Sequence, residues 1–192
     1  MTATEEKILN GIKYFIKNTK NVGRTKLFKL LFFWDFYTFK KYGKSITGYD
    51  YYSYPFGPVP KELYNEIIED RLPDFLDKNL AIIEKENDIE FNSFKTFKVI
   101  LKNKKIDLSV FSKNELNTLE EIAFTFQNAT ASEMSEITHL PHSPWSTTVE
   151  KNGYDTIIDY ILAIDESSPF TLEEAKERLQ LQKELIADGR LL

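Results

Sequence analysis

The chain has 192 residues, is 42% hydrophobic and 14% aromatic, and carries a formal net charge of −5. That length fits one domain, or one domain with a tail, and fifteen Phe and ten Tyr against seven Gly exclude a disordered polar chain. Cysteine is absent, which excludes disulfide frameworks, thiol catalysis and thiolate metal sites and fits a reducing cytoplasm.

No apolar run reaches the ~18 residues needed to span a bilayer, so no membrane association is expected. The MTATEEKILNG start is too acidic and too periodic for a signal peptide. Charge is unevenly spread. Residues 1–50 carry ten Lys and Arg against four Asp and Glu, whereas residues 115–192 carry five against fifteen. The asymmetry is read either as solvated helix surfaces or as one basic and one acidic face, the acidic one suited to a basic partner.

Thr4 to Lys20 reads as a first helix, with Ile8, Ile12, Phe15 and Ile16 on one stripe and Lys7, Lys13, Lys17 and Lys20 elsewhere. Asn21-Val22-Gly23 turns into a second helix, Arg24 to about Tyr42. On a wheel of ~100° per residue, Leu27, Phe28, Leu31, Phe32, Trp34 and Phe39 cover most of its circumference. A helix apolar nearly all round is a central core helix. Its narrow polar wedge carries Lys26, Lys29 and Lys40. Phe33 falls inside that wedge and Tyr37 at its edge, as aromatics placed to meet a partner. Asp35 falls in the apolar arc and therefore needs buried hydrogen-bond partners.

Gly43 caps the helix. The Tyr51, Tyr52, Tyr54, Phe56 segment ending in Gly57-Pro58-Val59-Pro60 reads as a rigid recognition turn, its last proline opening a helix from Lys61 to Asp70. Alternation along Tyr49 to Phe56 offers the alternative that half of these rings are core. Leu63, Ile67 and Ile68 give the third helix its inner face. Residues 80–102 hold two β-branched and aromatic runs around Glu86-Asn87-Asp88, which predicts one small antiparallel hairpin.

Ser112-x-x-Glu115, Thr130-x-x-Glu133 and Thr171-x-x-Glu174 have capping-box spacing and open three further helices. The first has Leu116, Leu119, Ala123 and Phe126 inward, the second ends near His139, and the third stops at Asp188-Gly189. Between the second and third, Pro141 to Pro144 makes a rigid turn before Trp145, and Asp155 to Ile164 buries Ile158 and Ile161. The fold class predicted is therefore α+β, predominantly helical. Residues 1–168 form the domain and 169–192 an amphipathic helix packed on it, with docking to another chain as the alternative.

Catalytic signals are weak. His139 and His142 are separated by Leu140-Pro141, which spoils helical ligand spacing, and no metal or cofactor is expected. No nucleophile elbow or phosphate-cradling loop occurs. A sequence pI near 5.2 argues against nucleic-acid binding, although lysines interleave with Phe and Tyr in the first quarter.

The stretch KLLFFWDFYTFKKYGKSITGYDYYSYPFGPVP resembles the signature of the Panacea antitoxin domain, also called the SocA-like or GepA-like phage-associated domain. The matching residues are Lys29 to Leu31, Asp35 and Phe36, Tyr42 to Lys44, Ile46, Gly48 and Phe56 to Pro60. Downstream blocks match at Glu136 to His139, at Pro144 and Trp145, and at Ile157 to Tyr160. Thr38 departs from the pattern, since many members carry His there.

The resemblance implies a cytoplasmic, non-enzymatic antitoxin of a bacterial or prophage toxin–antitoxin system. Such a protein neutralises a co-encoded cognate toxin by direct contact. Delivery of the toxin to a cellular protease is a second mechanism seen in the family. It also implies structural roles for Asp35, Gly57, Pro58, Pro60, His139 and Trp145. Phe33, Tyr37, Tyr51, Tyr52, Tyr54 and Phe56 are the partner-binding candidates. An enzyme acting on a small molecule or nucleic acid around Asp35 and His139 is the rival reading.

Overall fold

The structure, a computed structural model, describes residues 1–69, 71–87 and 94–187, with only the backbone of 85–87 and 94–96. It opens with α1 (Ala3–Asn18), started by a capping box in which the Glu5 amide donates to Thr2 Oγ1 and the Thr2 amide to Glu5 Oε2. α2 (Arg24–Tyr42) follows and ends at Gly43, whose left-handed φ of 70° lets its amide cap the Phe39 carbonyl. The strands β1 (Tyr51–Tyr54) and β2 (Gly57–Pro60) precede α3 (Lys61–Ile68) and the one-turn α4 (Asp74–Asp77).

β3 (Leu80–Asn87) and β4 (Phe94–Leu101) form the expected hairpin, with Leu80 opposite Leu101. Then come α5 (Lys113–Thr125), α6 (Ala131–Thr138), α7 (Pro144–Asn152), a 3-10 turn at Tyr160–Ala163 and α8 (Leu172–Ala187). The fold is predominantly helical α+β. The expected ends of α3 at Asp70, of the hairpin turn at Asp88 and of α8 at Asp188 lie outside the described residues.

α2 is the axis. Leu27, Phe28, Leu30, Leu31 and Trp34 are all buried. Trp34 meets Phe15 of α1 and Phe111 edge-on, at centroid distances of 5.6 and 5.8 Å, and its Nε1 donates to Thr118 Oγ1 of α5. Thr38, where an imidazole is absent, donates to the same hydroxyl at 2.8 Å.

The expected polar wedge is not a solvated one. Lys26 and Lys29 are each 1% exposed. Lys26 Nζ donates to the carbonyls of Lys20 and Ala129, and Lys29 Nζ to that of Pro58. Main-chain carbonyls at the ends of neighbouring segments take the place of water, which an intrahelical pattern cannot reveal. Ile68, expected inward, is exposed.

The proline-bounded turn is a hairpin. Tyr51 pairs with Pro60 and Tyr54 with Gly57 around Pro55-Phe56. The outer edge of β1 is also used: Ser53 and Ile158 amides donate to Thr156 and Tyr51 carbonyls, and Tyr52 bridges Ile157. The prolines stand on β2, an edge strand of this two-stranded pairing, and its sequence hid a strand because proline is rare within sheets.

Candidate protein-docking site

Asp35 fixes the scaffold behind the surface. Its side chain is fully buried. Oδ1 accepts from the Ile46 and Thr47 amides at 2.7 and 2.9 Å, and Oδ2 from the Thr47 hydroxyl at 2.5 Å, from Tyr51 at 2.7 Å and from Tyr160 at 3.5 Å. Burial pushes its carboxyl pKa upward against the pull of these donors, and drives both phenols well above the usual tyrosine range. The hydrogen bonds come from tyrosines and from amides of the loop after α2. His139 is not among the donors.

His139 lies instead on Trp145, rings stacked at 3.9 Å, and Trp145 Nε1 donates to the Tyr54 carbonyl. Burial, with the nearby Lys29 charge, lowers the imidazole pKa. Gly57, at φ 99°, sits where a Cβ would strike Lys29 Nζ and Thr138 Oγ1. Pro58 supplies the carbonyl that Lys29 uses, and Pro60 is the N-cap of α3. The motif residues, about 80 positions apart in sequence, therefore form one joint that seats the β1–β2 hairpin on α6 and α7.

The partner candidates separate into three groups. Tyr51 is removed from the surface: it is 0% exposed and bonded to Asp35, so it cannot present a ring to another protein in this conformation. Alternation along β1 put it inward. Tyr52 and Tyr54 are half-buried, the first under the Lys61 ammonium and the second edge-on to Tyr64, while Phe56 at the hairpin tip is 80% exposed.

Phe33 and Tyr37 lie together elsewhere, half-buried along a groove of about 720 Å³ between α2, α5 and the 3-10 turn. Phe33 is stacked on Phe126 at 4.6 Å. Tyr37 donates to Glu121, which Lys41 also holds, and Lys40 pairs with Asp165 across the other rim. The lysine and its hydroxyl-bearing neighbour keep the Glu121 carboxyl below its ordinary range. None of the hairpin rings lines this groove.

Sequence reading missed Phe124, which is 82% exposed on the groove's edge. The signal was present, because Phe124 is out of phase with Leu119, Ala123 and Phe126. His142, weighed in the sequence only as a metal ligand, has a φ of 64° in the Pro141–Pro144 turn and lines the same groove.

The arrangement is a helical scaffold carrying an aromatic groove with paired charges on its rims. The chain matches the family described as "Antitoxin SocA-like, Panacea domain" over residues 27–146, more than half of its length, and it belongs to that family. No curated protein and no solved structure matches it. Among the described residues, no helix is long and apolar enough to cross a membrane.

Proposed function

We propose that the protein is the antitoxin of a toxin–antitoxin pair and that it neutralises a co-encoded toxin by direct contact at the Phe33–Tyr37 groove. Family membership supports the toxin–antitoxin role. The observation that carries the choice of surface is Phe124, a large ring left 82% exposed beside a groove already floored by Phe33 and Phe126. An exposed aromatic next to a preformed apolar cleft is the arrangement that interface anchors adopt, and the rigid floor lowers the ordering cost of binding. The rim pairs Lys40–Asp165 and Lys41–Glu121 supply polar contacts around that centre.

The test is co-purification of the chain with the product of its neighbouring reading frame, and rescue of growth when both are expressed. Phe124→Ala removes no buried packing, so it leaves the fold intact. It should weaken complex formation by about 2 kcal/mol, roughly thirtyfold, and fail to rescue. Full rescue by Phe124→Ala together with Tyr37→Ala would remove the groove from the interface and leave Phe56, Tyr52 and Tyr54 of the hairpin as the next surface.

A further inference from the structure

The two buried lysines of α2 are supported unequally. Lys26 Nζ has two carbonyl acceptors, at 2.7 and 2.6 Å, whereas Lys29 Nζ has one among the described residues, Pro58 at 3.0 Å. Two of its three N–H donors are left over, and no carboxylate pairs with it. The charged groups of the surrounding elements are engaged elsewhere. On α2, Lys26 holds its carbonyls and Asp35 its own donors. On α6, Glu133 is bonded to Thr130 and Glu136 to Ser132, while His139 adds a basic group that the Lys29 charge repels. The β1–β2 hairpin brings only phenols, and α7 has Glu150 and Lys151 exposed in its last turn. The Lys29 ammonium lies against Gly57 and Thr138, at the joint between the hairpin tip and α6. Three bonds from side chains hold that tip: Lys29 to the Pro58 carbonyl, Ser135 Oγ to that of Phe56 at 3.2 Å, and Trp145 Nε1 to that of Tyr54 at 3.0 Å. The hairpin base is fixed separately, by Tyr51 on Asp35 and by main-chain bonds to Thr156 and Ile158. The tip can therefore lift while the base stays in place.

We propose that Lys29 is a proton-operated latch on the hairpin tip: as a neutral amine it lets residues 54–58 sit down on α6 and α7, and as an ammonium it drives them to lift. Burying an ammonium with one acceptor and no counter-charge is costly, and the cost vanishes when the amine is neutral or when the joint opens and water reaches it. Burial accordingly holds the Lys29 pKa at about 7 in the closed joint, against the 10.5 of a free lysine. Between these values the open joint binds one proton more than the closed one. The open fraction therefore rises by up to about tenfold for each unit by which pH falls, and levels off below pH ~7, where both forms carry the proton. Repulsion from His139 acts in the same direction. The joint is thus tight on the alkaline side of neutrality and loose on the acid side, and opening makes its underside, with Val59 and Trp145, available. The latch is independent of the toxin groove, which none of the hairpin rings lines.

The chain has no cysteine, so a single introduced thiol reports opening where it stands. Val59→Cys places one in β2, at a position 8% exposed, and Ala123→Cys places one in the α5 core, at a position 2% exposed. Each full-length variant is reacted with methyl methanethiosulfonate, and its rate is divided by that of free cysteine at the same pH, which removes the thiol's own ionisation. At pH 7, Val59→Cys should react at least about tenfold faster than Ala123→Cys, because the tip opens without the core. Its normalised rate should fall roughly tenfold from pH 8 to pH 9, the signature of one proton. With Lys29→Met added, the rates at pH 8 and pH 9 should be equal. Equal rates at the two thiols would show that the joint opens only when the whole fold does. A Val59→Cys rate unchanged by pH, or a pH dependence that survives Lys29→Met, would show that the amine does not work the hairpin. Any of these results overturns the latch, and the pH series on Val59→Cys decides it even where Lys29→Met fails to fold.

Discussion

Two ionisable residues of α2, Asp35 and Lys29, are buried with different support. Five donors converge on Asp35, and two of them, the Ile46 and Thr47 amides, cannot turn round. The hydroxyls of Thr47 and Tyr51 can. Asp35→Asn can therefore keep its oxygen on the amides and its NH2 on the hydroxyls, at an expected cost of about 1–2 kcal/mol, whereas Asp35→Ala strands the amides and should cost about 3–5 kcal/mol. Denaturant midpoints of the two variants check this; equal losses would mean that the amides do not depend on the carboxylate. Lys29 has one carbonyl, Pro58, and burial lowers its pKa to about 7 from the 10.5 of a free lysine. Between these values the unfolded chain binds more protons than the folded one, so stability rises with pH. Relative to Lys29→Met, the parent should gain up to about 1.4 kcal/mol per pH unit between pH 7 and 10, measured by denaturation at each pH.

At the scale of elements, periodicity made α2, α5 and the β3–β4 hairpin legible, because burial on a helix or strand face is written in spacing. The three capping boxes located helix starts to within a residue. The need of Asp35 for buried partners was legible too, but the partners were not, since they come from residues 46, 47, 51 and 160, which no local pattern connects. The buried lysines were misread for the same reason: a lysine that meets a distant carbonyl looks, in sequence, like one that meets water. Proline concealed β2. What holds that hairpin is a joint between distant motif blocks, with Gly57 wedged between Lys29 and Thr138. Gly57→Ala adds both a strained φ and a collision, and should destabilise by about 2 kcal/mol or more. A thermal scan in which that variant melts with the parent would show that the hairpin tip moves freely on α6.

At the scale of the whole molecule, the charge asymmetry of the chain is partly cancelled inside the fold. Lysines of the basic first quarter meet acids of the C-terminal half at Lys40–Asp165, Lys41–Glu121, Lys7–Glu115 and Lys44–Glu115. At these positions the basic first quarter and the acidic C-terminal half meet as ion pairs. Glu115 matters most, because its side chain is 3% exposed and it joins α1, the loop after α2 and the start of α5.

Burial opposes its charge, but Lys44, Lys7 and the Ser112 amide together hold its pKa down to about 2, against roughly 4.3 in an unfolded chain. The folded state then binds fewer protons than the unfolded one in that interval. Glu115 accordingly contributes about 3 kcal/mol of stability that is present above pH ~5 and lost as pH falls toward 2. Glu115→Gln leaves the lysine pair without its counter-charge, so it should be less stable than the parent by about 2–4 kcal/mol at pH 7. The gap should close on acidification, because the parent's own carboxylate becomes neutral. Denaturant unfolding of both proteins from pH 7 down to 2.5 measures this directly. A gap that stays constant across that range would mean that Glu115 supports the fold through its packing and its cap on Ser112, and not through its charge.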